Sequence, residues 1–303
     1  MEEFVLQTHG LSKRFGRKLV VNDLDLNIKK GDIYGFIGPN GAGKTTVMKV
    51  ILGLLFATAG SVSLFGEPQN IKNLRRVGSL IESPGLYGNC TAFENMKRFS
   101  ILSGGTDLEI HEILELVGLR EATYKKVRTF SLGMKQRLGI AIALLGNPEL
   151  MVLDEPVNGL DPMGMKDVRD IILRINQERG VTFFISSHLL GELEKISTVY
   201  GIIRYGVLTE EITAEALAEK CGKSIILRCN DVQRAAQIVT EEMQIPQVLI
   251  NEAEGKWNIA AEISRSAEIN TKLVKAGLEV SELGVLSTSY EDYFLQKMGP
   301  VNV

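Results

Sequence analysis

A chain of 303 residues, 45% apolar and 23% charged, has material for a large domain and a smaller one and the composition of an ordinary globular protein. Its formal net charge of −3 argues against a general nucleic-acid surface, which needs a strong basic excess. No segment reaches the ~18 continuous apolar residues of a membrane helix, and Met1-Glu2-Glu3 lacks the basic start of a secretory signal. Residues 4–7 and 20–28 alternate apolar and polar side chains, as half-buried strands do. The apolar run Ile33-Tyr34-Gly35-Phe36-Ile37 then leads into Gly38-Pro39-Asn40-Gly41-Ala42-Gly43-Lys44-Thr45-Thr46, and residues 47–55 continue with helical character. Strand, glycine loop and helix in that order make a phosphate cradle. Small residues let successive backbone N–H groups turn inward around a polyphosphate, and the positive end of the helix adds to the attraction. Lys44 can reach the β- and γ-phosphates, and the Thr45 hydroxyl is placed to ligate Mg²⁺. Binding of ATP or GTP is expected.

Residues 61–65 read as another strand, bounded by Gly60 and Gly66. After Pro84 the pattern turns helical over residues 92–102 and 108–117, ending at Gly118. Buried strands are expected over 150–153 and 181–186, with a helix over 168–179 between them. Continuous apolar strands alternating with helices imply a parallel sheet covered on both faces. The strand over 150–153 runs straight into Asp154-Glu155. A carboxylate at such a strand end can hold Mg²⁺, directly or through water, which suits Asp154. Glu155 would then face the γ-phosphate as general base.

A boundary is expected near residues 211–222, dividing a domain over 1–219 from one over 220–303. Beyond it the pattern reads strand (224–229), helix (232–243), two strands (247–251 and 256–261), helix (266–276) and strand (280–286), closed by a helix over 290–298. This βαββαβ order suggests a small α+β ferredoxin-like domain, in which Trp257 is a packing residue. Cys90, Cys221 and Cys229 are odd in number and not at metal-ligand spacing, which fits a reducing, cytoplasmic location.

Over residues 4–219 the order and spacing of these motifs resemble the nucleotide-binding subunit of ATP-binding-cassette (ABC) transporters. The resemblance implies a P-loop α/β cassette: a mixed sheet with a helical subdomain and an antiparallel β subdomain. Phe130-Ser131-Leu132-Gly133-Met134-Lys135-Gln136-Arg137 looks like the family's signature, which usually reads Leu-Ser-Gly-Gly-Gln; Ser131 and Gly133 are kept, Leu132 and Met134 depart. In the family this segment binds the γ-phosphate held by the opposite subunit, so a dimer sandwiching two Mg·ATP is implied. Asn158-Gly159-Leu160-Asp161-Pro162 is similar to the loop that touches the partner subunit, His188 to the histidine that senses the γ-phosphate, and Phe15 to the aromatic that stacks on adenine. Glu82, in Ile81-Glu82-Ser83-Pro84-Gly85-Leu86-Tyr87, stands where most members carry glutamine; as an oxygen ligand it can still serve Mg²⁺. This form of the loop resembles ATPase subunits of exporters that confer resistance or immunity to bacitracin and lantibiotics. An export ATPase is therefore expected, lying on the inner face of the membrane through separate permease subunits. Two other readings stay open: a soluble ABC ATPase acting on ribosomes or DNA, and a cassette that binds ATP as a clamp without hydrolysing it.

Overall fold

The computed structural model describes residues 3–103, 106–221, 223–245, 248–251, 256–259, 265–287 and 289–298. β1 (Phe4–Phe15) and β2 (Lys18–Lys29) form a long antiparallel hairpin. It outruns the alternation in the sequence because the register shifts between Thr8 and Lys13, around Gly10, so the period of two is lost while pairing continues. β3 (Ile33–Ile37) is buried at every residue, and the glycine loop delivers the chain into α1 (Lys44–Ile51). β4 (Ala59–Leu64) and β5 (Glu67–Pro68) complete a four-stranded sheet in the order β2-β1-β4-β5, with antiparallel neighbours.

The short α2 (Ile71–Leu74) and β6 (Val77–Leu80) lead to three helices, α3 (Ala92–Ser103), α4 (Asp107–Leu116) and α5 (Leu132–Ala143). The chain returns through β7 (Leu150–Asp154), α6 (Pro162–Arg179), β8 (Thr182–Ser187), α7 (Leu190–Leu193), β9 (Val199–Arg204) and β10 (Val207–Thr213). The central sheet has the order β10-β9-β3-β8-β7-β6. Its neighbours are parallel except for the β9–β10 pair, which makes it a mixed sheet. β7 and β8 are buried along their whole length, as inner strands of a sheet covered on both faces are, with Asp154, Thr182, Ser186 and Ser187 as their buried polar residues.

α1 is wedged between the two sheets. Val47, Met48, Val50 and Ile51 share one core with Leu6, Leu24 and Leu26 of the antiparallel sheet and with Tyr34, Phe36, Val152 and Phe184 of the central one. Each such side chain stabilises by about 1.5–3 kcal/mol when fully buried. The phosphate loop is thus anchored to a helix whose inward face is packed by both sheets.

A second unit begins within α8 (Ala214–Lys220). It comprises β11 (Lys223–Cys229), α9 (Val232–Gln237), β12 (Val248–Asn251), β13 (Lys256–Ile259), α10 (Ser266–Lys275) and β14 (Val280–Ser287), before α11 (Tyr290–Met298). The sheet order β12-β13-β11-β14 with antiparallel neighbours is that of a ferredoxin-like βαββαβ unit. Ile225, Leu227, Ala235, Val239, Ile269 and Leu273 fill its core. The single helix expected over 232–243 changes at Gln237 into π-helical turns over Ile238–Glu242. Thr240 Oγ1 donates to the Ala236 carbonyl at 2.7 Å, and such back-bonding loosens the ordinary ladder. By packing, the chain divides into Met1–Ala214 with Phe294–Val303, and Glu215–Tyr293. Phe294 belongs to the first because its ring lies 5.6 Å from that of Tyr200. Gln247, Ala260 and Ala261, expected as strand residues, and the Trp257 side chain lie outside what is described.

Candidate functional site

The glycine loop joins β3 to α1 at the C-terminal edge of the central sheet. Its shape depends on missing side chains. A Cβ at Gly38 would meet the Ile203 carbonyl oxygen at 2.4 Å, and Gly43, which caps α1, has φ 109, a region that only glycine enters cheaply. The first N–H groups of α1 have no acceptor within the helix and face the loop's mouth with its positive dipole end. A cleft of about 340 Å³ opens there, lined by Lys18, Val20, residues 40–46 and Glu155.

Lys44 is almost fully buried. Its Nζ donates to the Gly38 carbonyl at 2.6 Å and lies 3.3 Å from Glu155 Oε1. Thr45 Oγ1 donates to Asp154 Oδ2 at 2.7 Å, bringing the loop hydroxyl and the strand-end carboxylate together across β3, β8 and β7. The other Asp154 oxygen accepts from Ser186 Oγ at 2.5 Å, and that same hydroxyl accepts from the Glu155 N–H at 3.0 Å. Glu155 has φ 49, a left-handed turn that lifts its carboxylate off the end of β7. Its Oε2 accepts from His188, through the backbone N–H at 3.3 Å and at 2.7 Å from Nδ1. An ionised carboxylate can only accept, so that ring nitrogen carries the proton.

Thr45 and Asp154 together present hard oxygen donors, the chemistry Mg²⁺ prefers. Among the described residues no group of three or more His, Cys, Asp or Glu could cage a metal.

Ser131 is the N-cap of α5, accepting from the Met134 N–H at 3.2 Å, with Gly133 in the first turn. Asp161 caps α6 in the same way, accepting from the Gly164 N–H at 2.9 Å. Both line one cavity of about 340 Å³ with Leu132, Gly159 and Leu160. It shares no lining residue with the cleft at the phosphate loop.

Two expected residues stand apart. Phe15 is half exposed at the hairpin end, with Lys13 Nζ 5.0 Å from its ring centre; the cleft is lined there by Lys18, its cross-strand partner. The Glu82 carboxylate accepts from Lys49 Nζ, on α1, at 2.6 Å, whereas the Thr45 hydroxyl donates to Asp154. Lys18, Val20 and Ser186 were not anticipated. A serine at the end of an apolar strand, beside a strand ending in Asp-Glu, was the signal for Ser186.

A glycine loop opening a buried helix, with carboxylates at a neighbouring strand end of a mostly parallel sheet, defines a P-loop nucleoside triphosphatase. A family model for ABC transporters matches residues 21–158. The bacitracin transport ATP-binding protein BcrA of Bacillus licheniformis is 41% identical over 299 residues, 97% of either chain. The lantibiotic transport ATP-binding protein SrtF of Streptococcus pyogenes is 44% identical over 207 residues, 68% of this chain and 90% of that one. Among solved structures, a nucleotide-free ATP-binding cassette from an ABC transporter aligns with a TM-score of 0.66 at 25% identity, over 71% of this chain and 93% of that one. The chain belongs to the ABC transporter family, as one of its ATP-binding, ATP-hydrolysing subunits.

Proposed function

We propose that this subunit powers export of bacitracin or a similar peptide antibiotic, with Lys44, Thr45, Asp154, Glu155 and His188 as its hydrolytic centre. The observation that carries the centre is the position of Glu155, with one carboxylate oxygen on Lys44 and the other on His188. The loop from Gly38 to Thr46 would wrap the phosphates, and Lys44 would exchange the Gly38 carbonyl for phosphate oxygens. Phe15, beside Lys18 at the cleft's edge, would stack on adenine. Thr45 and Asp154 would hold Mg²⁺, with Glu82 as a further oxygen donor once its loop leaves Lys49. When bound, the metal neutralises charge on the β- and γ-phosphates. Glu155 would take the proton of the attacking water, and His188 would hold Glu155 in place.

A dimer is supported by the two separate cavities. Ser131 and Gly133 lie at a helix N-terminus fit for an anion, yet the cavity they line with Asp161 is not the one at their own phosphate loop. A second cassette would bring the two together. Among the described residues no helix is long and apolar enough to cross a membrane, so separate permease subunits would hold the chain at the inner face. The cargo reading rests on coverage. The bacitracin-type relative matches nearly the whole chain, whereas the lantibiotic-type match covers about two thirds of it. The Glu215–Tyr293 unit thus favours the former.

The test is ATP binding and turnover by the purified chain and by Lys44→Ala, paired with bacitracin resistance of cells producing the chain together with bacitracin-type permease subunits. Loss of ATP binding in Lys44→Ala is expected; unchanged affinity would refute the phosphate-loop assignment. Resistance that does not depend on Lys44 would remove the cargo reading.

A further inference from the structure

We propose that Lys49 is the counter-ion of Glu82 and that this pair sets the affinity of the phosphate loop for nucleotide. The inference rests on the reading of that loop as an ATP site. Three observations carry it. Lys49 Nζ lies 2.6 Å from Glu82 Oε1. Lys49 sits five residues after Lys44 on α1, about 7.5 Å along the helix axis. Leu80 pairs with Leu153 in the parallel β6–β7 ladder, so Glu82, two residues on, leaves the sheet beside Asp154, one residue on. At ~4.8 Å between strands, that is on the order of 10 Å from the metal-type carboxylate.

The Glu82 loop therefore adds a third negative charge, after Asp154 and Glu155, to an edge that must receive a polyanion. Glu82 has φ 62, rarely adopted by residues other than glycine, and the side chain so presented meets the ammonium. Both members reach solvent, with the Glu82 side chain 67% exposed, so the pair contributes little to folding. Its consequence is electrostatic. A single uncompensated charge on the order of 10 Å from the carboxylate beside which a triphosphate would lie is felt within the screening length of dilute buffer, and several phosphate charges multiply the repulsion to about three- to tenfold in affinity. Lys49 cancels it without touching the nucleotide.

Metal-free ATP binding isolates this charge effect from any Mg²⁺ ligation by Glu82. Calorimetric titration of ATP in EDTA is compared for the full chain, Lys49→Met, Glu82→Gln and the double variant. Lys49→Met is expected to weaken binding about three- to tenfold at low salt, and less as salt rises. The double variant is expected to return to within about twofold of the wild type. The charge swap Lys49→Glu with Glu82→Lys should recover what Lys49→Glu alone loses, which guards against misfolding as the cause. Wild-type affinity in Lys49→Met, or the same deficit with and without Glu82, overturns the proposal. Lys44→Ala is the reference. If it binds like the wild type, the phosphate-loop reading falls and takes this inference with it. If it does not bind while Lys49→Met is unaffected, only this inference falls.

Discussion

Glu155 and His188 meet at 2.7 Å between Oε2 and Nδ1, while the second Glu155 oxygen lies 3.3 Å from Lys44 Nζ. The carboxylate is therefore aimed by two donors, one at the end of the phosphate loop and one beyond the end of β8. Its backbone is turned out of the strand by φ 49 and fixed by Ser186. A side chain so constrained is suited to act on a water beside a bound phosphate.

Replacing Glu155 with glutamine keeps the shape and removes the proposed base. ATP binding should stay within a few-fold of the wild type, while turnover falls by about two to four orders of magnitude, the usual contribution of a positioned base. Because Ser131 and Gly133 line a cavity separate from the phosphate loop, the stalled variant should accumulate as an ATP-dependent dimer. Light scattering during size-exclusion chromatography with and without Mg·ATP checks it. A variant that turns over normally would remove Glu155 from the mechanism.

His188→Ala removes the partner that aims Glu155 but leaves Lys44 in place. Turnover should drop on the order of a hundredfold with little change in KM, the pattern of a residue that serves the reacting state rather than binding. Steady-state kinetics over ATP concentration reads the split. A raised KM at unchanged kcat would instead place His188 on the bound nucleotide.

Ser186 is buried and serves two neighbours at once, donating to Asp154 and accepting from the Glu155 N–H. In Ser186→Ala the buried Asp154 oxygen loses its donor. A stability loss of about 1–3 kcal/mol is expected in urea unfolding, as for other buried groups left unpaired. The Mg²⁺ concentration for half-maximal activity should rise as well, because the carboxylate is no longer oriented. Wild-type stability together with wild-type metal dependence would contradict that role.

Much of this centre was legible in the residues because local chemistry names it. Lys44 and Thr45 follow a glycine loop that itself follows an apolar strand, and Asp154-Glu155 closes another such strand; period and composition suffice for both. The role of Ser186 becomes legible only once β8 is known to lie beside β7, a pairing no local pattern states. The same holds for Lys18, which reaches the cleft only through the hairpin register with Phe15. Glu82 was assigned by its place in a motif, and motif order does not reveal a competing cation on α1. β6 carries little local signal either. Val77–Leu80 is short and interrupted by a glycine, whose Cβ would meet the Ala143 carbonyl at 2.0 Å. A close backbone approach thus took the place of an apolar run.

Tyr34 gives a pH test of the core beneath the site. It is fully buried, its hydroxyl donates to Glu211 Oε2 at 2.7 Å, and Gly201 opposite leaves room for that oxygen. Burial, then the Glu211 charge, hold the phenol well above its ordinary value of about 10. The folded state thus keeps this proton where the unfolded chain releases it. Its contribution is complete below about pH 10 and is lost as pH rises above that value, by about 1.4 kcal/mol per pH unit. Tyr34→Phe removes that term, at a cost of about 1 kcal/mol near neutrality for the lost hydrogen bond. The wild type should therefore be the more stable form at about pH 8, and its advantage should vanish or reverse by about pH 11. Urea midpoints of the two proteins across that range decide the matter. A constant gap would mean that the phenol ionises as easily in the folded protein as in the unfolded chain, and that the core around β3 and β9 is open to water.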